Sequence, residues 1–136
     1  MVHFLDTNVL LYSVSSDPAE ARKRERARDL LEQDEGALSL QVLQEFYVQA
    51  TRASRPNKLQ HDIAVGLIRT WMRFRVQATT VPVFSAALEI KAASNLSYWD
   101  SAIVASAQAL GCAVLYSEDM HHGQVIGGVT ITNPFR

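Results

Sequence analysis

Four carboxylates stand out by where they fall along the chain. Asp6 closes the apolar run Val2 to Leu5, and Asp119 follows the apolar run Ala113 to Tyr116, with Glu118 beside it and Ser117 before it. Glu45 lies midway along "LSLQVLQEFY", between Val42 and Val48 at i−3 and i+3 and between Gln41 and Gln49 at i−4 and i+4. Helical spacing puts it at the border of a buried face rather than on an open one. Asp100 comes three residues after Ser97 in "NLSYWDSAIVASAQALG". Each acid alone has a local explanation: Asp is favoured in turns and caps, Glu is at home on solvated helices, and Ser97 with Asp100 has the form of a capping box. Yet Asp is shorter than the Glu or Gln that such a box prefers, and Asp100 stands at i−3 and i−4 from Ile103 and Val104, on the apolar face.

A hard divalent cation gives these acids a common purpose. Mg²⁺ or Mn²⁺ takes oxygen ligands in near-octahedral geometry and keeps several waters, so carboxylates suffice without His or Cys. Such a site can activate water and neutralise the charge that develops on a phosphodiester during in-line displacement.

The elements that must position the acids follow from pattern. The run Val2 to Leu5 reads as a buried strand, and Thr7 and Asn8 lead into a short helix through Tyr12. "DPAEARKRERARDLLEQDEG" predicts a helix with Asp17 as N-cap, Pro18 at its first position and Gly36 past its end. A very short strand at Ala37 and Leu38 precedes a helix whose broad face is Val42, Leu43, Phe46, Tyr47 and Ala50. A third long helix is expected from about His61 to Arg75, a strand near Thr79 to Val81, and a helix after Pro82. The Asp100 helix, a strand at Ala113 to Tyr116 and a last strand at Val129 to Thr132 complete the order. Strands alternating with helices imply an α/β fold, a three-layer α/β/α arrangement on a central parallel sheet. Ligands of such sheets bind at the carboxyl ends of the strands, where Asp6 and Asp119 fall.

Composition bounds the reading. The 136 residues fit one domain, 1–136, without repeat or linker, and 48% apolar with 20% charged residues is ordinary for a globular protein. The net charge is −1, so setting the four acids aside leaves +3, and Arg52, Arg55, Lys58, Arg69, Arg73 and Arg75 are candidates to line a groove for phosphates. The single cysteine, Cys112, permits neither a disulfide framework nor a zinc site and reads as a buried thiol. The N-terminus lacks the charge and cleavage pattern of a signal peptide, and no apolar stretch is long enough to span a bilayer, so a cytoplasmic setting without membrane contact is expected.

The segments "FLDTNVLLY", "LSLQVLQEFY", "YWDSAIVASA" and "LYSEDMHHGQ", in that order across essentially the whole chain, resemble the PIN-domain ribonucleases, and within them the VapC-like toxins of type II toxin–antitoxin systems. The resemblance implies that Asp6, Glu45, Asp100 and Asp119 form the acidic quartet around Mg²⁺ or Mn²⁺, Asp6 and Asp100 binding directly and Glu45 and Asp119 directly or through water. It implies that Thr7 and Asn8 support the first acid. Ser117, two positions before the last acid, gives Asp119 rather than Glu118 the fourth place; Glu118 either assists or only flanks. The activity implied is a metal-dependent endoribonuclease using metal-activated water on RNA. The implied partners are a cognate antitoxin and a second copy of the chain in a homodimer. The alternative is a non-catalytic RNA-binding or scaffold module that keeps the fold; degenerate members would be expected to lose acids, and this chain keeps all four. A phospho-acceptor receiver domain ranks last, because it wants paired acids after the first strand and "FLDTN" offers one.

Other conspicuous residues read more plainly. The run "RKRERAR" mixes signs with Glu20, Glu25 and Asp29 and reads as a solvated helix face. His121 and His122 precede a glycine and read as a surface loop. Trp71, Met72 and Phe74 read as core or interface.

Overall fold

The computed structural model describes residues 2–136. The chain runs β1 (His3–Leu5), α1 (Thr7–Ser13), a 3₁₀ turn (Pro18–Glu20), α2 (Ala21–Glu32), β2 (Gly36–Ser39), α3 (Leu40–Thr51), α4 (His61–Trp71) and β3 (Arg75–Gln77). It continues with α5 (Val81–Ala93), α6 (Tyr98–Ala109), β4 (Val114–Tyr116), β5 (Val125–Ile126) and β6 (Val129–Thr132). The strands form one sheet in the order β3-β2-β1-β4-β6-β5. All pairings are parallel except β5 with β6. The α/β/α expectation holds, and the central sheet is parallel with one antiparallel edge.

The inner strands are short and enclosed. Phe4, Leu5, Ala37, Leu38, Leu115 and Ile131 are fully buried, as continuous apolar runs of a parallel sheet require. The chain leaves β1 to pair β2 on one side and returns much later to place β4 on the other, with Leu5 opposite Tyr116. The order therefore reverses at β1, and a crevice opens at the carboxyl ends of β1 and β4.

Four expectations need correction. The helix from His61 ends at Trp71, not Arg75: Arg73 and Phe74 donate their N–H groups to Thr70 and Trp71 in a turn. Trp71 and Phe74 are buried and Met72 is exposed, so the apolar spacing persists past the end of the helix. Phe74 lies where a Cβ on Gly36 would come within 3.0 Å of its ring, and Gly36 opens β2 rather than closing a helix. The strand expected at Thr79 to Val81 is instead Arg75–Gln77, an edge strand with little apolar character, and Thr80 caps α5 by accepting the Val83 N–H at 3.2 Å. Asp17 and Pro18 open a 3₁₀ turn, with α2 beginning only at Ala21. The antiparallel β5–β6 hairpin is an addition to the expected elements. Its Gly127 and Gly128, at φ +54° and +84°, are the residues that a tight hairpin with two left-handed positions demands.

Helix α3, which carries Glu45, is anchored at its start and along its buried face. Ser39 at the end of β2 caps it by accepting the Val42 N–H, and Phe46 packs edge-to-face on Trp71 of α4 with ring centroids 4.7 Å apart. Phe46 is fully buried, so Phe46→Ala should destabilise the fold by about 3–5 kcal/mol, read as a lowered urea midpoint. A loss below about 1 kcal/mol would mean that α3 does not depend on this contact.

Candidate active site

Each acid is delivered by an element end or a helix face. Asp6 follows β1 and serves as N-cap of α1, its Oδ1 accepting the Thr7 N–H at 2.7 Å. Its Oδ2 accepts the hydroxyl of Ser117, just past β4, at 2.7 Å. Asp100 sits in the first turn of α6, where its backbone N–H donates to the Ser97 capping oxygen at 3.1 Å. It therefore belongs to the helix start and to the crevice at once. Glu45 projects from α3, Oε2 accepting from Thr7 Oγ1 at 3.0 Å and Oε1 from Gln41 Nε2 at 2.8 Å. Asp119 Oδ2 accepts from Asn8 Nδ2 at 3.2 Å, and its own N–H donates to Ser117 Oγ.

All four acids, with Thr7 and Asn8, line one cavity of about 330 Å³. Ser117 lies fully buried beneath them. The supporting residues form a connected brace: Thr7 links Asp6 to Glu45, while Asn8 reaches Asp119, Ser117 and the Glu118 N–H. His121 and His122 stay on the exposed loop after β4, outside this cavity.

Glu118 differs from its neighbours. It accepts from both Tyr12 Oη and Lys23 Nζ, and Lys23 also lies over the Tyr12 ring, 4.8 Å from its centroid. Burial raises the Glu118 carboxyl, but these two partners outweigh it and hold the group below its ordinary value. The other four acids make no ion pair among the described residues. The mixed-charge face of α2 is largely exposed, as its sequence suggests, but Lys23 on it also ties α2 to the Asp119 loop. Arg24, Arg26 and Arg28 likewise donate to backbone carbonyls of Ser15, Pro134 and Ser13. Tyr12 is within reach of sequence reasoning, since it stands four residues after Asn8 on the same helix face. Lys23 is not, because its partner is 95 residues away.

Electrostatics single out Asp6. It is buried, and desolvation raises its pKa from 3.8 to about 7 against the Ser117 and Thr7 hydrogen bonds, with Glu45 and Asp100 adding repulsion. Asp100 is raised too, by burial first and then by the charges of Asp119 and Glu45. The Cys112 thiol, raised by burial to about 11, is inert packing.

The donor set decides which cation fits. It is entirely oxygen, which suits a hard ion and not zinc. Among the described residues no three acidic, imidazole or thiol groups form a ready-made ligand set for a metal ion. Mg²⁺ does not need one, since it binds through one or two carboxylates and keeps its waters, and the open, polar cavity leaves room for them.

Fold and site together define an α/β domain whose parallel sheet opens, at its switch point, into an acid-lined crevice suited to a hard cation. The chain belongs to the PIN domain family, whose model matches residues 3–126. No curated protein matches the sequence. Among solved structures it is similar to Mycobacterium tuberculosis VapC20, a Sarcin–Ricin loop cleaving toxin, at 22% identity over 86% of this chain and 89% of that one, with a TM-score of 0.66. It is also similar to a toxin–antitoxin complex from Klebsiella pneumoniae, at 20% identity over 97% of each chain and TM-score 0.71. FitAcB from Neisseria gonorrhoeae aligns at 19% identity over 98% of this chain and 99% of that one, with TM-score 0.70.

The raised Asp6 pKa predicts a pH signature in chelator. Between about 4 and 7 the native state holds a proton that the unfolded chain has released, so stability should fall as pH rises through that window. One proton's difference makes the decline roughly 1.4 kcal/mol per pH unit at its steepest. Urea unfolding across this range should show the decline in wild type and a flatter profile in Asp6→Asn; equal profiles would mean that Asp6 is charged throughout.

Proposed function

We propose that this protein is a divalent-cation-dependent endoribonuclease acting as the toxin of a toxin–antitoxin pair. The observation that carries the reading is the convergence of Asp6, Glu45, Asp100 and Asp119 on one cavity at the carboxyl end of the sheet. Asp6 and Asp100 would hold Mg²⁺ or Mn²⁺ directly, with Glu45 and Asp119 reaching it directly or through water. Such an ion lowers the pKa of water and offsets the charge gathering on a phosphodiester under attack. Hydrolysis then forms one P–O bond from water and breaks the P–O bond to the leaving ribose oxygen, which takes a proton.

The protein's own residues set the geometry for that step. Thr7 and Ser117 occupy one lone pair on each Asp6 oxygen and fix the carboxylate plane. Gln41 and Thr7 fix Glu45 on the opposite wall, and Asn8 steadies Asp119. The likeness to a Sarcin–Ricin loop cleaving toxin supports RNA as substrate, and the likeness to toxin–antitoxin complexes supports an antitoxin partner. A homodimer is supported by exposed apolar side chains on and just after α4 and on α5, among them Ile63, Met72, Phe84 and Leu88. The site of action is the cytoplasm, and no helix among the described residues is long and apolar enough to cross a membrane. Retention of all four acids with their hydrogen-bond partners favours catalysis over a merely RNA-binding module.

Purified wild type should cut single-stranded RNA in Mg²⁺ or Mn²⁺ and stop in chelator. Asp6→Asn and Asp100→Asn should each lose at least about a hundredfold in rate, because an amide keeps the shape without the charge that holds a cation. Replacing His121 and His122 together should leave the rate within about threefold. Undiminished cleavage by Asp100→Asn would return that residue to helix capping alone.

A further inference from the structure

Six carboxylates line the acid cavity, since Glu20 and Glu118 join the four already described. A phosphate chain entering it meets strong repulsion. Among the described residues the one cationic side chain in the lining is Arg55. Arg55 as a residue is half-buried, and among the described residues its guanidinium makes no hydrogen bond or ion pair, despite the carboxylates lining the same cavity. Arg55 also lines a second cavity of about 370 Å³, formed with Ser15, Ser16, Pro56 and Asn57, and Glu20 borders both. The two hollows therefore adjoin, with Arg55 at the junction. Its loop is held in place, because Arg55 N–H donates to Arg52 O and Leu59 N–H to Ala50 O at 2.8 Å.

On the wall formed by the start of α6 stands Trp99, next to Asp100. It lines the same cavity while remaining 65% exposed, which the packing of the fold alone does not call for. Its ring meets Tyr98 edge-on with centroids 5.0 Å apart, leaving a face available. Its carbonyl accepts from Gln41 Nε2, the group that also holds Glu45, so its backbone is coupled to the acid cluster.

We propose that Arg55 and Trp99 are the substrate-holding residues of the site: Arg55 takes a backbone phosphate beside the scissile one, and Trp99 stacks a base of single-stranded RNA. The inference rests on the ribonuclease reading of the same cavity. A free guanidinium matches a phosphate by paired donors, and an exposed indole offers a π-face to any base. The adjoining hollow past Arg55 carries the strand onward between Ser15, Ser16 and Asn57.

The two contacts have different signatures. Binding of a fluorescein-labelled single-stranded RNA decamer of randomised sequence is measured by anisotropy with Ca²⁺ replacing Mg²⁺, and steady-state cleavage is measured in Mg²⁺. Arg55→Ala and Trp99→Ala should each raise Kd and KM roughly tenfold or more, with kcat within about threefold. Arg55→Ala should also reduce the slope of log K against log salt by about 0.7, whereas Trp99→Ala should leave that slope unchanged. Arg55→Lys and Trp99→Phe should recover most of the affinity. Unchanged Kd in both alanine variants, or a Trp99→Ala defect that tracks dimer dissociation in sedimentation velocity, overturns the inference while wild-type cleavage upholds the ribonuclease reading. Wild-type binding with both signatures but no cleavage upholds these contacts and rejects the catalytic reading. Neither binding nor cleavage rejects both.

Discussion

A carboxylate buried at the end of the central strand is the constraint around which this molecule is arranged. Asp6 is nearly inaccessible, and an ionised acid taken out of water is costly unless donors or a cation face it. The fold supplies a backbone N–H from Thr7 and a hydroxyl from Ser117, and among the described residues it pairs Asp6 with no cationic side chain. Those two donors fix where the group points without cancelling its charge. The cost of ionising Asp6 is therefore left partly unmet within the described residues, the kind of local arrangement opposing stability that is found at functional sites.

Glu118 shows what the same chain does with an acid that needs no ligand. Lys23 and Tyr12 engage it from α2 and α1, and its charge is met within the protein. The contrast with Asp6, Glu45, Asp100 and Asp119, which receive only neutral donors among the described residues, separates two kinds of carboxylate within one wall. It also gives a physical ground for the proposal that Asp119 rather than its neighbour faces a cation. The pairing has a second effect: by joining α1, α2 and the segment after β4, it holds the loop that carries Asp119 against the helix that carries Asn8.

Much of this is legible in the sequence, for reasons that particular residues make clear. Asp6 can be placed because a buried parallel strand is a short apolar run and the acid marks where it stops, and the run ending at Tyr116 points likewise to the Glu118–Asp119 pair, between which only the family resemblance, through Ser117, chooses. Asp100 can be placed because Ser97 announces the helix start. The elements that escape such reading are those whose signals are weak or displaced. Arg75–Gln77 is an edge strand without an apolar run, and Trp71 with Phe74 continues a helical spacing across a turn. The brace of Asn8, Ser117 and Glu118, and the Lys23 contact, join residues about a hundred positions apart. No local pattern encodes such pairs; only the return of β4 beside β1 creates them.

The proposed function requires that Asp6, Glu45, Asp100 and Asp119 gather around one hard cation. Crystals of the wild-type protein grown with Mn²⁺ and measured near the manganese absorption edge test it most directly. The expected result is an anomalous difference peak within coordination distance of Asp6 and Asp100 carboxylate oxygens, completed by waters or by Glu45 and Asp119, and its loss in Asp6→Asn. A cavity without such a peak at millimolar Mn²⁺, or a peak held instead by His121 and His122, would contradict it.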